Sequence, residues 1–372
     1  MSRLALLFLV MLQFGCTEYK LGSAEDGLPA DDTAEPTDDG PSELEEPPGD
    51  EAFDGQITGR VCDPSGAEDD GWVVGAYVYT NYDSDGDGID DSIADASTDE
   101  AGRFTLFGLP TGRDYVVYVV KGSFEATFEV TLTTGTYEIP EDECMLEPPN
   151  IAVITGDYDH IEDIISDMGL EFTTYDGTFG ATEFRSFLAD PTAMAEYDII
   201  FFNCGISDMW LYTEREIIRG NIRSFVENGG SIYVSDWAYY FVELPFAGKI
   251  DFYGDDLSYG APMVGRAGDV FANVIDVTMQ AIIGAVGADI NFDLPMWVVL
   301  ESIGPDVSPL LEATIEVADM WGTFSTLSNA PIAVRFEVGD AGGRVIYTAF
   351  HNEHAATTLD MTDILEEIIL SL

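Results

Sequence analysis

The feature that most constrains this chain is a change of hydrophobic period at Pro148-Pro149. On its N-terminal side, residues 55–147 alternate apolar and polar positions over short runs broken by turn residues. Strands are expected at 56–62, 72–80, 103–107, 114–121 and 124–133. Period-two alternation at this spacing makes sheets with one buried face, so a β-sandwich is expected. On the C-terminal side, 151–155 and 197–203 are nearly all apolar, as strands buried on both faces of a parallel sheet require. Helical spacing follows each of them, through Ile161, Ile164, Ile165 and Met168, and then through Ile217, Ile218, Ile222 and Phe225. Thr213 and Glu216 form a capping box for the second helix, and Gly229-Gly230 ends it. Strands at 231–234, 331–337 and 344–350 and a helix at 361–370 complete the alternation. The expected fold class is therefore multidomain, all-β and then α/β. A β-sandwich (55–147) precedes a doubly wound α/β sheet (151–372), flavodoxin-like in outline.

Charge limits the partners. Seventy Asp and Glu face 14 Lys and Arg, a formal net charge of −56, so the folded parts are acidic as well as the tether described below. Nucleic acid and anionic lipid surfaces need positive charge on the protein and are excluded as partners. Cations and basic ligands remain, and solubility in a salty habitat accounts for the charge equally well. With 46% hydrophobic residues the chain has ample material for two cores.

At the N-terminus, Arg3 precedes the apolar run 4–12, and Gly15 stands before Cys16. The run is too short to span a bilayer but fits the apolar region of a signal peptide. Gln13-Phe14-Gly15-Cys16 resembles the lipobox of bacterial lipoproteins, departing from it at Gln13, where the family prefers Leu. The resemblance implies removal of residues 1–15, a lipid on Cys16 and a membrane anchor. With Thr17 after the cysteine it implies sorting to the outer membrane of the cell envelope. An ordinary signal peptide with an incidental Cys16 is the alternative. Residues 16–54, almost wholly acidic, Pro, Gly, Ser and Thr from about position 22, are expected to remain a solvated tether. In an oxidising compartment Cys62 and Cys144, which bracket the β-rich block, are candidates for a disulfide. Cys204, ending an apolar strand, is expected to pack as a small hydrophobe.

Gly59-Arg60-Val61, Gly75-Ala76-Tyr77-Val78, the 98–104 segment and Gly108-Leu109-Pro110-Thr111-Gly112 before Tyr115 resemble the carboxypeptidase regulatory-like (prealbumin-like) domain. That resemblance implies a non-catalytic module that spaces or supports other domains. An insertion carries Asp83, Asp85, Asp87, Ile89 and Asp91, a D-x-D-x-D-G pattern that sets hard oxygens around a tight turn at Gly88. Ala94 stands where an EF-hand needs Glu. The loop is more similar to those of thrombospondin type-3 repeats, with Asp91 or Asp95 closing the shell, and calcium is the expected ion. An acidic surface loop is the plain alternative.

Ligand sites in doubly wound sheets lie at the carboxyl ends of strands. Those ends carry Asp157, Asp159 and His160; Cys204 and Gly205; Ser235, Asp236 and Trp237; and His351, Asn352, Glu353 and His354. Their order is similar to class I glutamine amidotransferase-like domains, including trehalose-utilisation-type relatives. Phe350-His351-Asn352-Glu353 matches the late His-x-Glu segment, and the place of the cysteine nucleophile falls on Asp236 beside Ser235, without the family's elbow glycines. Three roles fit. The domain has lost its nucleophile and binds an unknown ligand, a carbohydrate or a protein. Alternatively, Ser235 or Asp236 with His351 and Glu353 forms a hydrolase. In the third role, Asp236, His351 and Glu353, with His354, hold a metal. A buried histidine bonded to Glu353 is the structural alternative. Tyr239, Tyr240, Phe241, Tyr253 and Tyr259 are a carbohydrate surface or, more simply, core.

Overall fold

The computed structural model describes residues 53–64, 71–84, 88–207, 211–254, 263–319, 321–353 and 357–372. Cys16 and the tether up to residue 52, Asp85 and Asp87 of the acidic loop, Tyr259 and His354 lie outside the described residues.

In the N-terminal part, β1 (Gly55–Arg60), β4 (Arg103–Leu109) and β7 (Thr136–Glu138) form one sheet in the order β4-β1-β7. The strands β2 (Tyr77–Tyr82), β3 (Ser92–Ser97), β5 (Arg113–Lys121) and β6 (Phe124–Leu132) form a second in the order β3-β2-β5-β6. Ile57 and Leu106 from the first and Val78, Val117 and Val119 from the second are fully buried in the common core. Two strands differ from expectation. The run from Trp72 does not extend into β2, because Gly75 at φ 71 turns the chain, and Trp72 makes an isolated bridge with Cys62. β3 was not anticipated, since Ser-Ile-Ala-Asp-Ala-Ser buries only Ala94 and is held at the sheet edge by pairing with β2.

Cys62 and Cys144 are joined, closing a loop across 82 positions with their Cα atoms 5.2 Å apart. On a chain-entropy account such a loop contributes roughly 4 kcal/mol to stability.

The C-terminal part is built on a nine-stranded sheet, β14-β13-β16-β17-β18-β11-β10-β8-β9. Its parallel half comprises β8 (Ile151–Thr155), β9 (Phe172–Asp176), β10 (Ile199–Phe202), β11 (Ser231–Ser235) and β18 (Gly343–Thr348). Numbered by their own order in the chain, these five lie 2-1-3-4-5, the doubly wound flavodoxin-like arrangement. Its other half is antiparallel: β13 (Val264–Val274), β14 (Gly287–Val298), β16 (Ser308–Ala318) and β17 (Phe324–Val338). A separate antiparallel pair is made by β12 (Ile250–Phe252) and β15 (Leu300–Ile303).

Helices α1 (Ile161–Asp167), α6 (Val277–Ile283) and α7 (Leu359–Leu370) form one packed group, and α2 (Glu183–Ala189), α3 (Pro191–Met194) and α4 (Leu211–Glu227) another. Real caps set several starts: Asp276 accepts from the Thr278 and Met279 amides, and the Thr358 hydroxyl accepts from Met361. The capping box expected at Thr213 is displaced, because α4 already begins at Leu211 and Thr213 lies in its first turn. A short helix α5 (Tyr240–Glu243) follows β11. It takes the aromatic cluster inside: Tyr239, Tyr240 and Phe241 are buried, with Phe241 stacked on Phe202 and Tyr239 against Phe252. These three rings are core, the simpler of the two readings of the cluster. Among the described residues no helix is long and apolar enough to cross a membrane.

The sandwich sits on the end of α7. Lys121 Nζ pairs with Glu367 at 2.6 Å, both nearly fully buried, and also donates to the Val74 carbonyl at 3.0 Å. Ser123 Oγ donates to the Leu372 carbonyl at 2.9 Å. Burial raises the Glu367 carboxyl above its ordinary range, with Lys121 opposing that shift.

Candidate functional site

Parallel packing brings the carboxyl ends of β8, β10, β11 and β18 to one edge. The close approach of β8 and β10 depends on Gly156, where a side-chain carbon would stand 2.0 Å from the Cys204 carbonyl oxygen. This is the point at which strand order reverses, where open α/β sheets place ligands. Asp159, Cys204, Ser235, Asp236, His351 and Asn352 are all buried there.

These groups fall into two clusters. In the first, Ser235 Oγ donates to Asp159 Oδ2 at 2.5 Å and accepts from the Cys204 amide at 2.9 Å. The Asn352 amide donates to Asp159 Oδ1 at 3.2 Å, and the Asn352 side chain donates to the His160 carbonyl at 2.7 Å. Asn203 Nδ2 adds bonds to the Asp159 carbonyl and to Glu162. Burial raises the Asp159 carboxyl to about 7, against the lowering effect of the Ser235 bond. Ser235 is thereby committed at both lone pair and proton. The pairing of Ser235 with His351 that the hydrolase alternative needs is not formed: the Ser235 hydroxyl faces Asp159, while His351 faces Asp236.

The second cluster is centred on His351. Its Nδ1 lies 3.7 Å from Asp236 Oδ2, and its Nε2 lies 3.5 Å from Asp293 Oδ1 and 3.7 Å from Glu353 Oε2. Asp236 follows β11 with φ 40, a left-handed conformation rare for a residue with a side chain. The chain thus turns sharply at Asp236 without flanking glycines. It is held by Val298 N, which donates to Asp236 Oδ1 at 2.7 Å, and by Tyr347 OH, which donates to the Asp236 carbonyl at 3.0 Å. Cys204 Sγ is directed at Asp236 Oδ2 at 3.7 Å, so Cys204 is a member of the site and more than packing. Burial, and then Asp236, pushes its thiol well up, which leaves no thiolate for nucleophilic work. Burial likewise raises Asp236 far above the usual carboxylate range. Burial lowers His351 to about 4 despite the opposing charge of Asp293, so the imidazole is neutral at neutral pH.

Two contributors were not anticipated. Asp293 and Val298 come from β14, and Trp237 Nε1 ties that strand down by donating to the Met296 carbonyl at 3.0 Å. The antiparallel half of the sheet therefore covers the strand ends. A polar alternation, Asp289, Asn291, Asp293 against Ile290 and Phe292, marks the exposed face of β14 in the sequence but does not say what that face meets. A cleft of about 480 Å³ between Arg215, Arg219 and Lys249 is lined by neither Asp236 nor His351.

In the acidic loop, Asp83 and Asp91 turn back on the chain. Gly88 N donates to Asp83 Oδ2 at 2.7 Å, and Ser84 donates to Asp91 through its amide at 2.8 Å and its hydroxyl at 3.0 Å. Those Ser84 bonds lower the Asp91 carboxyl. Ile89 is exposed.

No protein-family model and no curated protein matches the chain. Among solved structures it is similar to a proposed GMP synthase component of Thermoplasma acidophilum, with TM-score 0.39 and 11% identity over 60% of this chain and 94% of that one. It is also similar to a glutamine amidotransferase of Thermotoga maritima, with TM-score 0.34 and 11% identity over 55% and 76% of the two chains. A glutamine amidotransferase of Methylobacillus flagellatus gives TM-score 0.34 and 15% identity over 55% and 70%. Likeness this distant carries no argument about chemistry, which has to come from the site's own groups.

Proposed function

We propose that this chain is a cell-envelope lipoprotein whose α/β part is an amidotransferase-like binding domain without amidase activity, carried on a sandwich spacer. One observation supports the loss of activity above the others. The position expected for the nucleophile is Asp236, whose carboxyl is buried and bonded to Val298 N at 2.7 Å. A carboxyl held in this way, with a proton affinity raised by burial, cannot replace a thiolate in attack on an amide. Cys204 does not replace it either, since its thiol is pushed up by burial and turned onto Asp236.

Ammonia release from glutamine tests this directly. The expected result is a rate equal to buffer; a rate above it that disappears in His351→Ala would overturn the proposal. The anchor rests on Gly15-Cys16 and the acidic tether. Cys16→Ser is expected to move the protein from the membrane to the soluble fraction, and unchanged membrane association would remove the lipid from the account. The Asp83–Asp91 loop is proposed to take calcium with weak, extracellular-type affinity. Calorimetry with millimolar calcium is expected to give heat that Asp83→Asn removes.

A further inference from the structure

His351 is 3% exposed at its side chain, and neither ring nitrogen has a hydrogen-bond partner. Leaving a buried polar group unmade costs about 1–3 kcal/mol, so an imidazole placed in this way points to a partner that is not a side chain. Its surroundings indicate which. Asp293 Oδ1 and Glu353 Oε2 stand 3.5 and 3.7 Å from Nε2, and the three atoms lie within 4.8 Å of one another. Those separations are too long for hydrogen bonds. They are the separations of ligands sharing an ion: donors about 2.1 Å from a metal at the tetrahedral angle stand roughly 3.4 Å apart.

The far side of the ring faces a carboxyl, though beyond hydrogen-bond reach. Metal-bound histidines present their second nitrogen to a carboxylate or carbonyl that fixes the ring. Here Nδ1 faces Asp236 Oδ2 at 3.7 Å, and Asp236 is itself held by Val298 N and by its own left-handed turn. The two sides of the ring differ in access. Cys204 and Asp236 are fully enclosed, while Asp293 and Glu353 are 23% and 35% exposed, so an ion on Nε2 would keep positions open to solvent or ligand.

We propose that His351 Nε2, Asp293 and Glu353 bind one first-row divalent transition ion of the zinc or manganese class, with Asp236 as the positioning residue behind the ring. One imidazole with carboxylates suits these ions, whereas calcium takes a shell of oxygens. The proposal does not rest on the loss of amidase activity, and it extends the binding domain by naming what it holds. Asp293 reaches the site only through β14, which gives the covering half of the sheet a purpose beyond closure.

The test is titration of chelator-treated full-length protein with manganese or zinc chloride, followed by calorimetry and elemental analysis. The expected result is one equivalent bound. Asp293→Asn and Glu353→Gln, at partly exposed positions that should not disturb folding, are expected to weaken it at least tenfold. In His351→Gln the nitrogen hyperfine coupling of bound manganese is expected to vanish. Asp236→Asn is expected to weaken affinity roughly 10- to 100-fold while that coupling persists, which separates a positioning role from a ligand. Asp83→Asn is expected to leave this binding unchanged, separating it from the acidic loop. No saturable binding, or wild-type affinity in both Asp293→Asn and Glu353→Gln, would overturn the proposal, whatever the glutamine assay reports.

Discussion

Two polar clusters share the carboxyl edge of the parallel strands, and they are built on opposite principles. Around Asp159 the carboxylate itself is answered: Ser235 Oγ and the Asn352 amide both donate to it, and of the groups described in that cluster only Asn203 Oδ1 has no bond. Around His351 three carboxylates approach to between 3.5 and 3.7 Å and none bonds the ring. A satisfied buried network ties elements together and needs nothing further. One with an orphaned imidazole has bonding capacity left over, which the proposed ion would take up. The lesson concerns how function is read from a site: the cluster with the better hydrogen bonds is the structural one.

A third buried ionic group calibrates the scale. Lys121 and Glu367 form a paired ion bridge between sandwich and α7. Lys121→Met is expected to cost about 3–5 kcal/mol, because it strands a buried carboxyl, and adding Glu367→Leu should recover most of it. Denaturant unfolding of the single and double variants measures this. Next in size, Asp159→Ala is expected to cost about 3 kcal/mol by leaving its donors unmade. In chelator, His351→Gln is expected to cost less than about 1 kcal/mol, since it severs no hydrogen bond. Equal costs for the two variants would erase the distinction between the clusters.

Acidity sharpens the comparison, because the two centres shift in opposite senses. Asp159 is raised from 3.8 to about 7, so its contribution to stability is fully present below 3.8 and is lost as pH rises through about 7. His351 is lowered from 6.5 to about 4, so its contribution is present above 6.5 and is lost as pH falls through about 4. In chelator-treated protein, the melting-temperature gap between wild type and Asp159→Asn should therefore shrink from pH 4 to 7. The gap to His351→Gln should widen from pH 4 to 6.5. The smallest effect is expected from Ser235→Ala, about 1 kcal/mol of stability with no change in manganese affinity. A large loss of affinity there would show that the clusters act as one.

Much of this architecture was legible because hydrophobic period reports burial directly. The all-apolar runs at Ile151–Thr155 and Ile199–Phe202 became neighbouring strands inside the parallel half, and His351 and Glu353 follow the end of β18. The absence of glycines around Asp236 gave no sign in the sequence that the chain would take a left-handed turn there. Tertiary bonds from Val298 and Tyr347 hold it instead.

By itself, then, the sequence determined the change from alternating to all-apolar strands, the parallel strands and which side chains stand at their ends. It also determined which cysteines bracket the sandwich. Only the tertiary structure decided that Ser235 belongs to Asp159, that Cys204 turns onto Asp236 and that Asp293 joins His351 and Glu353. Period along a strand reports which face a residue occupies, whereas its partner depends on which strands become neighbours. For Asp293, carried by β14 over the strand ends and far from His351 along the chain, that choice is made by the fold as a whole.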